Sequence, residues 1–477
     1  MNKEERQENL ANVKPLRQLF HFSHFSHFYK LYVPASLLIG IVCGLFMALF
    51  QFLIDLTTRG FLELPIFIAP LIGGGFSGLM IYFGRREIEG SGISKAIELT
   101  HDPQDLKPST ALTKMVATSV SIGTGNPVGR EGPAVLIGAA IGDYIGRRIG
   151  YDDPSHLRVF IMMGSAACTA GIYKAPLGGA LFASEAPYKR DARLGYFVPT
   201  VLAAITSYII FAVIYQIDPL LSFQIDFTLT LDVIPLVLLL GAFAGGISIF
   251  FSVFLMATRN FFRLKLPDWA DPVVGSFFAC VILFLVGLWL DPQYSVAGLG
   301  YGVIELIASP GTSLPIIALL LLLIGKLLAS SFVVAGRVSG GVLASSIFVG
   351  AMLGAVFGQL FAPHHLAAFV VLGMGAVLAA TTNTPIATTV LILEISHSFE
   401  LLIPIAICIC VSYLLAGGTS LYEGQKVTRD DEDPGYFARI NVQPEDITLG
   451  FFQDDANPAD HETSRNPGVD DKSQSLG

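Results

Sequence analysis

The sequence predicts an all-α integral membrane protein built from two repeated halves with many tilted and broken helices. Three observations predict it. Hydrophobic residues make up 53% of the 477 and charged residues only 14%, with a mean hydropathy of +0.63. A soluble surface needs roughly 25% charge, so much of this surface faces lipid. Second, uncharged runs recur, and Val233–Met256 alone is long enough to cross a bilayer core of about 30 Å. Third, Gly164–Glu185 (GSAACTAGIYKAPLGGALFASE) recurs as Gly373–Glu394 (GMGAVLAATTNTPIATTVLILE), in the order small-residue helix, break, proline, apolar helix, glutamate.

Taken in chain order, residues 1–30 are polar and then aromatic, without the short apolar core and cleavage site of a signal peptide. They read as a cytoplasmic, interfacial segment. His21, His24 and His27 belong to it and read as interface residues. Apolar stretches follow at Leu31–Asp55, Pro65–Phe83, Leu194–Tyr215, Pro272–Leu290 and Pro315–Ile324, and shorter ones at 341–360, 366–381 and 400–416. The repeat divides them into a first half, 31–216, a linker, 217–232, and a second half, 233–422. At the repeat offset of 209, Gly132 stands opposite Gly341. Residues 423–477 hold 13 acidic and 5 basic residues and read as an acidic, disordered cytoplasmic tail. Basic clusters between apolar runs (Arg85/Arg86, Arg147/Arg148, Arg259/Arg263/Lys265) mark cytoplasmic loops, with both termini inside. The five cysteines lie in apolar segments without metal spacing. No cofactor, metal site or nucleic-acid partner is expected.

Broken helices supply a chemistry. A helix N-terminus carries unpaired N–H groups and about half a positive charge, so converging termini bind an anion without a cation. Such a site releases its ion more readily than a lysine would. Candidate termini are EGSGIS (Glu89–Ser94), GREGP (Gly129–Pro133) and SGGVLAS (Ser339–Ser345), and GGTSLY ends the last span at Tyr422. Ser91 and Tyr422 offer neutral hydroxyls. Walker-type and dinucleotide-type glycine patterns are absent.

These blocks, with KAPLGGALFASE and TPIATTVLILE, resemble the CLC family of chloride channels and chloride/proton exchangers, in order and spacing, over residues 31 to 422. The resemblance implies a CLC-like fold of two inverted halves, one pore per subunit and a homodimer in the membrane lipid, of the compact prokaryotic type without CBS domains, in the plasma (inner) membrane. It implies chloride bound by the Ser91 and Tyr422 hydroxyls and the N–H groups of Val342 and Leu343. Bromide or nitrate are further anions to consider. Glu131 resembles the gating glutamate, with Arg130 and Gly132 shaping the outer site and Lys114 lending a positive field.

The sequence departs from the family pattern at three places. Ser94 replaces a proline, and Leu343 replaces an aromatic residue. Ala186 stands where many exchangers carry an internal proton glutamate, with Glu185 one residue before it and turned by about 100° on a helix. Ala186 favours weak or absent proton coupling, and the alternative is a stoichiometric chloride/proton antiporter. An intramembrane enzyme built on Glu131 is a remote third reading, because a base beside a nucleophile is needed and the membrane core holds almost no histidine.

Overall fold

The computed structural model describes residues 22–429 except 105, 108, 217, 218, 224, 226, 266, 312 and 313, with no side chains described for 22–29, 264 and 265. Most of the expected N-terminal segment and acidic tail therefore lie outside the described residues. Sixteen α-helices are present among them. The first eight are α1 (Phe22–Phe61), α2 (Pro70–Tyr82), α3 (Ile93–His101), α4 (Ser109–Gly123), α5 (Glu131–Arg148), α6 (Pro154–Tyr173), α7 (Pro176–Glu185) and α8 (Phe197–Tyr215). The next eight are α9 (Ile234–Lys265), α10 (Asp271–Gly287), α11 (Tyr301–Ala308), α12 (Ile316–Ala335), α13 (Leu343–Phe361), α14 (Leu366–Thr382), α15 (Pro385–Ser396) and α16 (Leu402–Ala416). Each helix of the first set has its counterpart, in order, in the second.

Local sequence sets the breaks. Proline, which needs no N–H partner in a first turn, opens α2, α6, α7, α10 and α15. The α6–α7 break falls at Lys174 and the α14–α15 break at Asn383, both in the left-handed conformation. Among the described residues, seven helices are long and apolar enough to cross a membrane. Their outward faces carry exposed Leu45, Phe52, Phe250 and Met256, the lipid side of an integral membrane protein. Inside, small residues bring backbones together. Gly138 packs on the Gly164 carbonyl and Gly350 on that of Gly373, where a Cβ would collide.

These glycines correct the repeat register. Gly164 and Gly373 keep the offset of 209, whereas Gly138 and Gly350 are 212 apart, as are the starts of α5 and α13. The α5–α6 connection holds five residues before Pro154, whereas Ala362 alone leads into Pro363. Gly341 is thus the mate of Gly129, with which it exchanges two backbone bonds of 2.7 Å in an antiparallel bridge. Gly132 meets Gly341 in space without being its mate. Chains meeting head to head in opposite directions fit inverted halves.

A second pairing is reciprocal. Glu185 at the end of α7 accepts the Ile386 and Ala387 N–H groups at 3.2 and 2.6 Å. Glu394 in α15 accepts the Leu177 and Gly178 N–H groups at 3.1 and 2.7 Å. Each glutamate caps the first turn of the other half's helix, where orphan donors and the helix dipole favour a carboxylate. The repeated glutamate of the sequence is therefore a clasp between the halves.

The chain stays packed beyond Tyr422. Gln425 is buried, and Lys189 and Arg190 donate backbone bonds to Lys426 and Val427. Residues 423–428, grouped with the tail on composition, thus pack with the helices.

Removing either clasp carboxylate strands two N–H groups. Glu185→Ala and Glu394→Ala should each cost about 1–3 kcal/mol, read as a lowered unfolding temperature of the purified protein, with Glu185→Gln milder because its carbonyl still accepts one bond.

Candidate functional site

The start of α5 is fixed by the Gly129–Gly341 bridge and by contact with the Ser91 loop. A Cβ on Gly132 would lie 2.9 Å from the Ser91 carbonyl and 3.1 Å from the Gly341 Cα, so only glycine allows this approach. Val342 and Leu343, both buried, open α13 beside it. Two helix N-termini, each with unpaired first-turn N–H groups, therefore converge on one place. Leu343 packs in the core, where the sequence had lost an aromatic residue.

Glu131 is fully buried there. Its carboxylate folds back over Gly129: a Cβ on that glycine would strike Oε2 and lie 3.2 Å from the Ala344 nitrogen. The carboxylate thus lies between the α5 and α13 starts. The Tyr301 hydroxyl donates to Oε1 at 2.6 Å, and Oε2 has no partner among the described residues. Adjacent Arg130 is not a close partner. Its Nε stands 4.0 Å from Oε1, while its guanidinium donates to Gln51 Oε1 and to the Ile172 carbonyl at 3.3 Å.

The Ser91 loop is held from below. Gly92, at φ 80°, turns the chain into α3. Buried Lys114 donates to the Ile88, Glu89 and Gly90 carbonyls at 2.7, 3.3 and 2.6 Å. Its charge is thus committed to the carbonyls of the loop. Lys326 does the same in the second half, with bonds of 3.0 and 2.5 Å to the Val296 and Gly298 carbonyls. Sequence reading missed Lys326, although it lies 212 residues after Lys114. Tyr301 was missed too. It follows Gly298 and Gly300, which repeat the left-handed Gly90 and Gly92 of the Ser91 loop.

Tyr422 is buried and its hydroxyl has no partner among the described residues. The next residue ties it to the Ser91 loop: the Glu423 N–H donates to Ser94 Oγ at 3.1 Å. A proline at 94 offers no such acceptor. The Glu423 carboxylate also accepts from Arg259 at 3.1 Å and Arg263 at 3.4 Å. Two recesses of about 570 and 610 Å³ flank this pair. One reaches Ser91 and is lined by Arg86 and Arg337, and the other reaches Tyr422.

Ala186 is also buried, and its carbonyl accepts from Gln425 Nε2 at 2.8 Å. With Thr100, Ser165 and Thr169 it lines a cavity of about 20 Å³, room for one water. Glu185 does not point there, since both its oxygens cap α15.

Residues 73–417 match a family model described as "Voltage gated chloride channel". The chain is similar to the H(+)/Cl(-) exchange transporter ClcA of Vibrio cholerae, at 26% identity over 84% of this chain and 91% of that one. It shares its fold with a CLC-type fluoride/proton antiporter (TM-score 0.73, 22% identity, 86% of this chain and 99% of that one). It also shares it with a slow cyanobacterial Cl-/H+ antiporter (TM-score 0.70, 21% identity, 82% and 96%).

Replacing Lys114 or Lys326 with Met should leave buried carbonyls unpaired and cost about 1–3 kcal/mol each. A lowered unfolding temperature of each purified variant checks this.

Proposed function

Because the chain belongs to the voltage gated chloride channel family, whose members are channels and transporters rather than enzymes, we propose that it carries chloride through a pore gated by Glu131. The observation that carries this reading is the seat of the Glu131 carboxylate between the starts of α5 and α13. A place shaped for a carboxylate by helix N-termini is also shaped for a halide. While charged and seated, Glu131 excludes chloride. Protonation removes the attraction, and the side chain yields the place.

Inward of Glu131, the Ser91 and Tyr422 hydroxyls and the N–H groups of Val342 and Leu343 hold the ion. Arg130 and Gly132 shape the outer entrance. The two halves correspond to residues 31–216 and 233–422, joined by the linker at 217–232. The protein works as a homodimer in a prokaryotic plasma membrane with both termini cytoplasmic, and each subunit has its own pore. Bromide and nitrate are secondary substrates.

Proton coupling is weak or absent in this reading, because Ala186 carries no titratable group and Glu185 is committed to its cap. Full chloride/proton exchange is the second reading, favoured by the likeness to relatives and structures named as proton antiporters. Water in the Ala186 cavity would then have to carry the proton.

In proteoliposomes, weak coupling predicts a reversal potential that follows chloride alone, about 59 mV per tenfold gradient, whatever the pH difference. Stoichiometric uphill proton movement would establish exchange instead. Glu131→Gln should keep chloride flux and lose its pH dependence. Ser94→Ala should weaken chloride binding about two- to tenfold in calorimetry, because losing one hydrogen bond loosens Tyr422.

A further inference from the structure

We propose that Tyr301 is the latch of the Glu131 gate: a positioning residue from the opposite half of the molecule that holds the charged carboxylate in its seat. The inference rests on the gate reading above and adds what sets the pH at which the gate yields.

Tyr301 opens α11 directly after left-handed Gly300, and its hydroxyl meets Glu131 Oε1 at 2.6 Å across the two halves. Both residues are buried. Among the described residues, Tyr301 makes the one hydrogen bond to the carboxylate. Arg130, at the start of α5, stands off at 4.0 Å and spends its guanidinium on Gln51 and Ile172. Lys326, from α12, acts on Glu131 electrostatically, but its ammonium is bonded to two carbonyls. Tyr173, at the end of α6, and Tyr422 lie in electrostatic range of Glu131, and neither hydroxyl has a partner among the described residues.

The phenol discriminates between the two forms of the gate. An O–H donated to a carboxylate is charge-assisted and roughly twice as strong as one donated to a neutral carboxyl. Tyr301 therefore favours the charged, seated state and delays opening until the solution is more acid. The latch is neutral, so it adds no charge that would trap chloride after the gate has moved.

The test is chloride efflux from proteoliposomes, measured from acidic to neutral pH, for the wild type, Tyr301→Phe, Glu131→Gln and the double variant. Phenylalanine keeps the ring and removes only the hydroxyl. The latch predicts that Tyr301→Phe moves the midpoint of activation about one to two pH units upward. It also predicts that the double variant matches Glu131→Gln alone. An unmoved midpoint, or the same fold-change in flux in both backgrounds, would overturn the latch while leaving the gate standing. A wild-type pH profile in Glu131→Gln would remove the gate and the latch together.

Discussion

The molecule turns on two hydrogen bonds. The Gly129–Gly341 exchange, 2.7 Å in each direction, brings two helix starts from opposite halves to one place. Almost everything at the candidate site follows from that meeting. Gly132 can press against the Ser91 loop because no side chain intervenes. Partial positive charge gathers inside a protein whose surrounding solvent is hydrocarbon. A carboxylate from the sequence itself lies in that field.

Keeping two helix ends together in a membrane needs supports, and the repeat supplies them in matched pairs. Lys114 and Lys326 each draw in the carbonyls of a glycine-turned loop. Glu185 and Glu394 each cap a helix of the other half. Buried charges are costly unless paired or hydrogen-bonded, and these four groups are spent on backbone. Glu131 differs from these four, with one oxygen on a phenol and one on nothing among the described residues. The two halves differ at this position, since the α13 mate of Glu131 is Leu343.

Much of this was legible in the sequence, for physical reasons. Broken helices declare themselves through proline and glycine, and GREGP and SGGVLAS mark the two starts that meet. What was not legible depended on distance in the chain. Tyr301 sits 170 residues from Glu131, and an aromatic residue in an apolar chain gives no sign of its partner. Lys326 interrupts an apolar run, and only the corrected offset of 212 reveals it as the mate of Lys114. The register slipped because one connection between α5 and α6 is longer than its counterpart, which a window confined to Gly164–Glu185 cannot detect. Ser94 read as a lost proline, whereas its hydroxyl gains a bond to the Glu423 backbone.

The central claim is that the Glu131 carboxylate and a halide compete for one place between α5 and α13. Anomalous diffraction from crystals soaked in bromide addresses it most directly, by comparing the wild type with Glu131→Gln. The account predicts a bromide peak beside Gly129 in the variant and none there in the wild type while Glu131 is seated. Bromide at that place alongside a seated, charged Glu131, or its absence there from the variant, would contradict the account.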